Sequence, residues 1–149
     1  MIPYNEIIVR LILSALIGMI IGVDRQIRNK EGGLRTHGLI ASGAALYTII
    51  SLSIPQADPG RVIAQIVTGV GFIGAGVIFK SQDRVRGITT AADIWMSAGI
   101  GTAIGLGMYK PAMIATIIIL LILVPARAID RAIYERYKKK HVQRDSKKL

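Results

Sequence analysis

The 149-residue chain contains no cysteine. That excludes a disulfide framework, a thiolate metal site and a cysteine nucleophile. Aromatic residues make up only 5%, with a single tryptophan. No basic stripe is interleaved with aromatics in the manner that stacks bases, so a nucleic-acid partner is not expected. Acids are scarce as well: nine Asp and Glu stand against nineteen Lys and Arg, for a net charge of +10. No serine, acid or histidine is spaced as a nucleophile with its base, so the chain reads as non-enzymatic. The opening MIPYNEIIVR lacks the basic start and small-residue cleavage site of a signal peptide, so the first apolar run is expected to be retained.

What the chain does have is apolar length. Hydrophobic residues make up 52%, and the mean hydropathy is +0.49. The charge is segregated from the apolar runs, which favours a membrane over a soluble partner. Five runs stand out: Ile7 to Val23, Gly38 to Ile54, Val62 to Phe79, Thr89 to Met108, and a shorter one from Ala112 to Val124. The expected fold is therefore all-α, a polytopic membrane bundle of about five transmembrane helices over residues 1–126. A basic cytoplasmic tail, 127–149, follows. Sixteen of the nineteen basic residues fall after the first run, after the third run and in the tail. The positive-inside rule then places the N-terminus outside and the C-terminus in the cytoplasm.

Residues 69 to 76, GVGFIGAG, match the G-x-G-x-x-G of a dinucleotide loop, with Asp93 nineteen residues past Gly74. The flanks argue against that function. Val62 to Phe79 carries no charge over eighteen residues, about 27 Å as a helix and close to a bilayer's hydrocarbon thickness. The amphipathic helix that such a loop needs does not follow.

As a helix, the same stretch puts Gly69 and Gly76 on one face and Gly71 and Gly74 near the opposite one. The expectation is a central helix packed on both sides, in which Gly71→Leu and Gly76→Leu each harm folding or assembly. Small residues at four-residue steps recur in run one (Ser14, Gly18, Gly22) and run four (Ser97, Gly101, Gly105). In lipid, such stripes let helices approach closely. Run five is nearly all Ile and Leu and is expected on the lipid-facing rim.

Three blocks in order, GLRTH at 33–37, DPGR at 58–61 leading into AQIVTGVGFIGAGVIF, and GITTAADIW at 87–95, resemble the MgtC/SapB family of bacterial membrane proteins. The resemblance runs from about Glu6 to Gly107. It implies a compact multi-helix domain in the bacterial inner membrane, tied to growth in low magnesium, survival of pathogens in host cells and acid tolerance. Family members look more like modulators of other membrane machines than like transporters. Carried over by position, Asp24 and Arg25 match the acid–arginine pair closing the first span. Gly33, Leu34, Arg35 and Thr36 match the loop motif. Asp58, Pro59, Arg61 and Gln65 match the start of the third span, and Thr89, Thr90 and Trp95 the fourth. Two features depart from the pattern. Larger members carry a soluble domain where this sequence has the basic tail, and Asp93 stands where a small or neutral residue is expected.

Each polar residue has a structural and a functional reading. Asp93 is either an intramembrane functional acid or an interfacial acid paired with an inner-loop arginine such as Arg35. Asp58 reads as an N-cap before Pro59. Gln65 and Thr68 are placed to bond across helices. Asp24, Arg25 and Arg35 form either a headgroup-level collar or a partner-binding or proton-sensing site. His37 reads as a polar residue at a helix start. The tail places Ile129, Ile133, Tyr134 and Tyr137 on one side, suiting either an interfacial helix or a solvated segment. No resident cofactor is expected. Magnesium would want several oxygen ligands, and nothing in the sequence gathers Asp24, Asp83, Asp93 and Asp58. The expected partners are the bilayer, other membrane proteins and a second copy in a homodimer. The expected function is modulation of other membrane proteins, with a magnesium, cation or proton transporter as the second reading.

Overall fold

A computed structural model describes residues 2–81 and 84–123. It contains five helices among the described residues: α1 Tyr4–Ile27, α2 Leu34–Ser53, α3 Pro59–Gly76, α4 Ile88–Gly105 and α5 Tyr109–Leu123. The all-α expectation needs one amendment. Two three-residue strands, β1 Phe79–Ser81 and β2 Arg84–Arg86, pair antiparallel between α3 and α4. Gly87 ends this hairpin and starts α4 with φ at +89°, a backbone conformation that other residues adopt at a cost. The tail 127–149 lies outside the described residues, as does Asp83.

The chain divides into two compact units, Met1–Ile119 and Leu120–Leu149. Of the second, only the last turn of α5 is described. The core of the first unit is built from α1, α2 and α4. Gly18 of α1 lies against α2, where an added Cβ would come 2.8 Å from the Ala41 Cβ, and one at Gly22 would come 2.7 Å from the Leu34 Cα. Rising numbers on α1 meet falling numbers on α2, so these two helices are antiparallel. On α4, a Cβ at Gly101 would come 2.8 Å from the Ala41 Cα, and one at Gly105 would come 2.8 Å from the Ala45 carbonyl oxygen. Here the numbers rise together, so α2 and α4 run parallel. Ala41, with no exposed surface, is pressed from both sides. The small residues allow the close approach, and Ile21, Ile94, Ile100 and Ile104 are the largest buried apolar side chains on α1 and α4.

This arrangement corrects the expectation for the third span. Within the chain, α3 is not central. An added Cβ would meet nothing within 4 Å at Gly69, Gly71 or Gly76, and only Gly74 meets a neighbour, Ala91 of α4. Val70 and Gly74 are the only buried residues of α3, and Phe72 stands 83% exposed. Glycine permits close packing but supplies no attraction of its own. Which glycine stripe is used depends on which neighbour the loops bring alongside, and the loops bring α2 between α1 and α4.

Among the described residues, α1 alone is long and apolar enough to cross a membrane by length and composition, with mean hydropathy 2.3. Glycines and hydroxyl residues dilute the hydropathy of α2, α3 and α4, and Arg35, Arg61 and Asp93 lower it further. On α5, Met113, Ile114, Ile117 and Ile118 are exposed, while Ala112 and Ile119 are buried.

Candidate functional site

Alternating helix direction brings the end of α1 to the beginnings of α2 and α4. A six-residue link, 28–33, joins α1 to α2. The side chains gathered there are Asp24, Arg25, His37, Thr90, Asp93 and Ser97, all buried. Arg25 is the centre. Its Nε lies 2.5 Å from Asp93 Oδ2, and its Nη2 lies 3.8 Å from Asp24 Oδ2. Arg28, half-buried one turn along α1, brings Nε to 3.3 Å from Asp24 Oδ2. Two carboxylates therefore face two guanidinium groups. Burial makes an isolated charge costly, and this balance is what allows four charged groups to share so small a space.

The Arg25–Asp93 ion pair is the shortest contact of the cluster, and both side chains are buried. His37 Nδ1 lies 3.1 Å from the Gly33 carbonyl oxygen. A carbonyl only accepts, so Nδ1 donates, and a neutral ring leaves Nε2 as an acceptor. Nε2 and the Ser97 hydroxyl are both buried without a hydrogen-bond partner among the described residues. Ala41 meets Gly101 and Ala45 meets Gly105. One turn earlier along these parallel helices, His37 and Ser97 stand at the same level.

A second polar knot closes the opposite end of the same helices. Arg10 is paired with Glu6 one turn before it on α1, and its Nη1 donates to the Gly105 carbonyl oxygen at 2.6 Å. The guanidinium thus satisfies a carbonyl that the end of α4 leaves open. Gly107, at φ +78°, brings the chain past Arg10. The i, i+4 spacing of Glu6 and Arg10 was a readable signal, yet sequence reasoning gave Arg10 no structural role.

The residues singled out in the sequence therefore separate into groups. Asp24, Arg25, Thr90 and Asp93 come together, with Ser97 beside them and His37 added. Asp93 pairs with Arg25; Arg35 is exposed, Thr36 is half-buried and Thr89 is exposed at the same end. Trp95 is 51% exposed on α4. Asp58, Arg61 and Gln65 lie at the other end of the fold. Asp58 is the N-cap of α3, accepting from the Gly60 amide at 2.9 Å, with Pro59 in the first turn. Gln65 and Thr68 are exposed on α3 and do not meet Asp93.

A divalent cation fits this cluster poorly. Hard cations take several oxygen ligands with room for water, whereas Asp24 and Asp93 already face guanidinium groups. Among the described residues no three His, Asp or Glu side chains group as metal ligands.

The family model described as the MgtC family matches residues 11–132. Protein MgtC of Salmonella typhimurium strain LT2 is 50% identical over 120 residues, covering 80% of this chain and 51% of that protein. The "Putative magnesium transporter YhiD" of Escherichia coli strain K12 is 49% identical over 127 residues, covering 79% of this chain and 59% of its own length. "Uncharacterized protein slr0014" of Synechocystis is 39% identical over 128 residues, covering 85% of this chain and 55% of that protein. The chain thus spans little more than half the length of these curated relatives. No solved structure matches it.

Proposed function

The chain belongs to the MgtC family, and from that premise we propose that it is a five-span protein of the bacterial cytoplasmic membrane that modulates other membrane proteins without catalysis. Its partner is another membrane protein, with a second copy of itself as the simplest case. The observation that carries this reading is the closed charge cluster. Arg25 sits between Asp24 and Asp93, so the acids at membrane depth are held by fixed cations. Gln65 and Thr68, the other polar groups a conduction path would use, are exposed on α3 and do not join this cluster. A modulator needs no path; a transporter does. The second reading, a cation or proton transporter, draws on the printed name of the YhiD relative and on the presence of a buried acid.

Reconstitution separates the two. Purified protein alone, in liposomes loaded with a magnesium-sensitive or pH-sensitive dye, is expected to give no flux above empty vesicles. Flux that Asp93→Asn abolishes in a protein that still folds would overturn the modulator reading, because an acid on a conduction path acts through its charge. Affinity purification from the protein's own cells is expected to retain a membrane complex.

The proposed orientation puts the N-terminus outside and the C-terminus in the cytoplasm. It is supported by the excess of basic residues on one side and by the alternating directions of α1 and α2. Single cysteines placed in the 55–60 turn between α2 and α3 are expected to react with an impermeant reagent added outside. Reaction from the cytoplasm alone sinks this orientation.

A further inference from the structure

Helices α2 and α3 share a buried cluster at Ala44 and Val70 with α4, but beside it they stay apart. Between them lies a laterally open groove of about 510 Å³, lined chiefly by apolar side chains and by two glycines, Gly43 of α2 and Gly69 of α3. An added Cβ at either glycine would meet nothing within 4 Å. The α3 wall runs from Val62 to Ile73, about 17 Å along the helix axis. The two lining residues that carry polar groups, Gln65 and Tyr47, stand toward its outer end. Gln65 makes no side-chain hydrogen bond among the described residues, although its amide has two donors. Arg61, one turn above Gln65 and exposed, has no ion pair among the described residues; its neighbour Asp58 is engaged in capping α3.

We propose that this groove is a phospholipid site, in which an acyl chain lies against Gly43 and Gly69, a glycerol ester carbonyl accepts from the Gln65 amide and the phosphate faces Arg61. The inference rests on the membrane reading above. Three observations choose a lipid over a protein helix. The order of groups along α3, cation at the mouth, amide donor one turn below and apolar wall beneath, is the polarity order of a phospholipid. An amide left in hydrocarbon without an acceptor is costly, and an ester carbonyl at that depth supplies one. A second copy docked symmetrically through the same groove would bring its own Arg61 to the same level, placing like charges together.

The test is retention of phosphatidylglycerol, read by native mass spectrometry after purification from mixed phosphatidylcholine and phosphatidylglycerol vesicles. The wild-type protein is expected to hold about one phosphatidylglycerol per chain at this groove. Gly69→Leu fills the groove from one wall and Gly43→Leu from the other; each is expected to lower retention by about tenfold or more, since filling the groove removes the apolar contacts of the chain. Both substitutions enter open space, and circular dichroism is expected to be unchanged. Arg61→Ala is expected to lower retention by about fivefold, the equivalent of one cation near a phosphate. Gly99→Leu, which also enters open space but on α4, is the control and should hold lipid as the wild type does. Lipid retained equally by wild type, Gly69→Leu and Gly43→Leu overturns the assignment. So does a dimer that Gly69→Leu converts to monomer while lipid retention stays unchanged, which would make the groove a helix-docking site. Alkaline carbonate extraction distinguishes the two levels of failure. A protein that washes off membranes refutes the membrane reading and this site together, whereas one that stays embedded but holds no lipid refutes the site alone.

Discussion

Gly101→Ala is expected to destabilise the protein more than any single methyl added to α3. The new Cβ would enter the backbone of α2 at Ala41, 2.8 Å from its Cα and nearer still to its carbonyl carbon and oxygen. Backbone cannot swing aside as a long side chain can. Either α4 moves off α2 or the helices shear, and both break the contacts of Ile100 and Ile104, which are buried almost completely. Overpacking of this kind costs about 1–3 kcal/mol, occasionally more, and contact with backbone places Gly101 at the high end. Gly18→Ala presses on the same Ala41 from α1 and should behave alike. By contrast, Gly71→Leu and Gly76→Leu should leave the fold of a single chain near wild type, since nothing lies within 4 Å of either position. Thermal unfolding in one detergent, monitored by circular dichroism, makes the comparison. If the α3 variants lose as much as Gly101→Ala, the core described for α1, α2 and α4 is wrong.

The second large effect is expected at Arg25. Arg25→Met removes the cation between Asp24 and Asp93 and leaves Asp93 buried without its ion-pair partner. Removing one partner of a buried pair costs about 3–5 kcal/mol, because the other charge stays buried. Asp93→Asn should cost less: Arg25 keeps Asp24 nearby, and an amide is cheaper to bury than a carboxylate. The combined replacement Arg25→Met with Asp93→Leu should recover part of the loss, since apolar groups of similar size in place of a buried pair are often neutral or better. The check is the unfolding midpoint of the two single variants and the double variant. A double variant no more stable than Arg25→Met alone would show that Arg25 acts through something other than this charge balance.

The five apolar runs were legible because charge and apolarity are segregated along the chain. Each run falls on one helix, with ends displaced by up to about four residues, as caps and frayed turns usually displace them. The hairpin at 79–86 was not legible, because two strands of three residues carry too little alternation to stand out. Small-residue spacing identified real contacts at Gly18, Gly22, Gly101 and Gly105 but gave α3 a central place that it does not hold. The spacing is a local property, whereas the identity of the neighbour is not. The same limit applied to the site. Asp24 and Arg25 are adjacent in sequence, and Asp93 was conspicuous as a lone acid in an apolar run whose partner was expected among the arginines after the first run, such as Arg35; which of those arginines it meets, Arg25, was set by packing.

What the sequence determined by itself is what depends on composition and on neighbours a few residues apart: helices in apolar runs, the Asp58 cap before Pro59, the separation of basic residues from the apolar runs and the motifs that carry the family. What only the tertiary structure decided is which residues far apart in the chain share a level. Asp93 meets Arg25 from 68 positions away because α1 and α4 are laid side by side, and Arg10 meets Gly105 at the other end for the same reason. Pairing of this kind is set by helix direction and axial offset. Those follow from how the short links let Ala41 sit between two glycines, an outcome of packing three helices at once that no local pattern encodes.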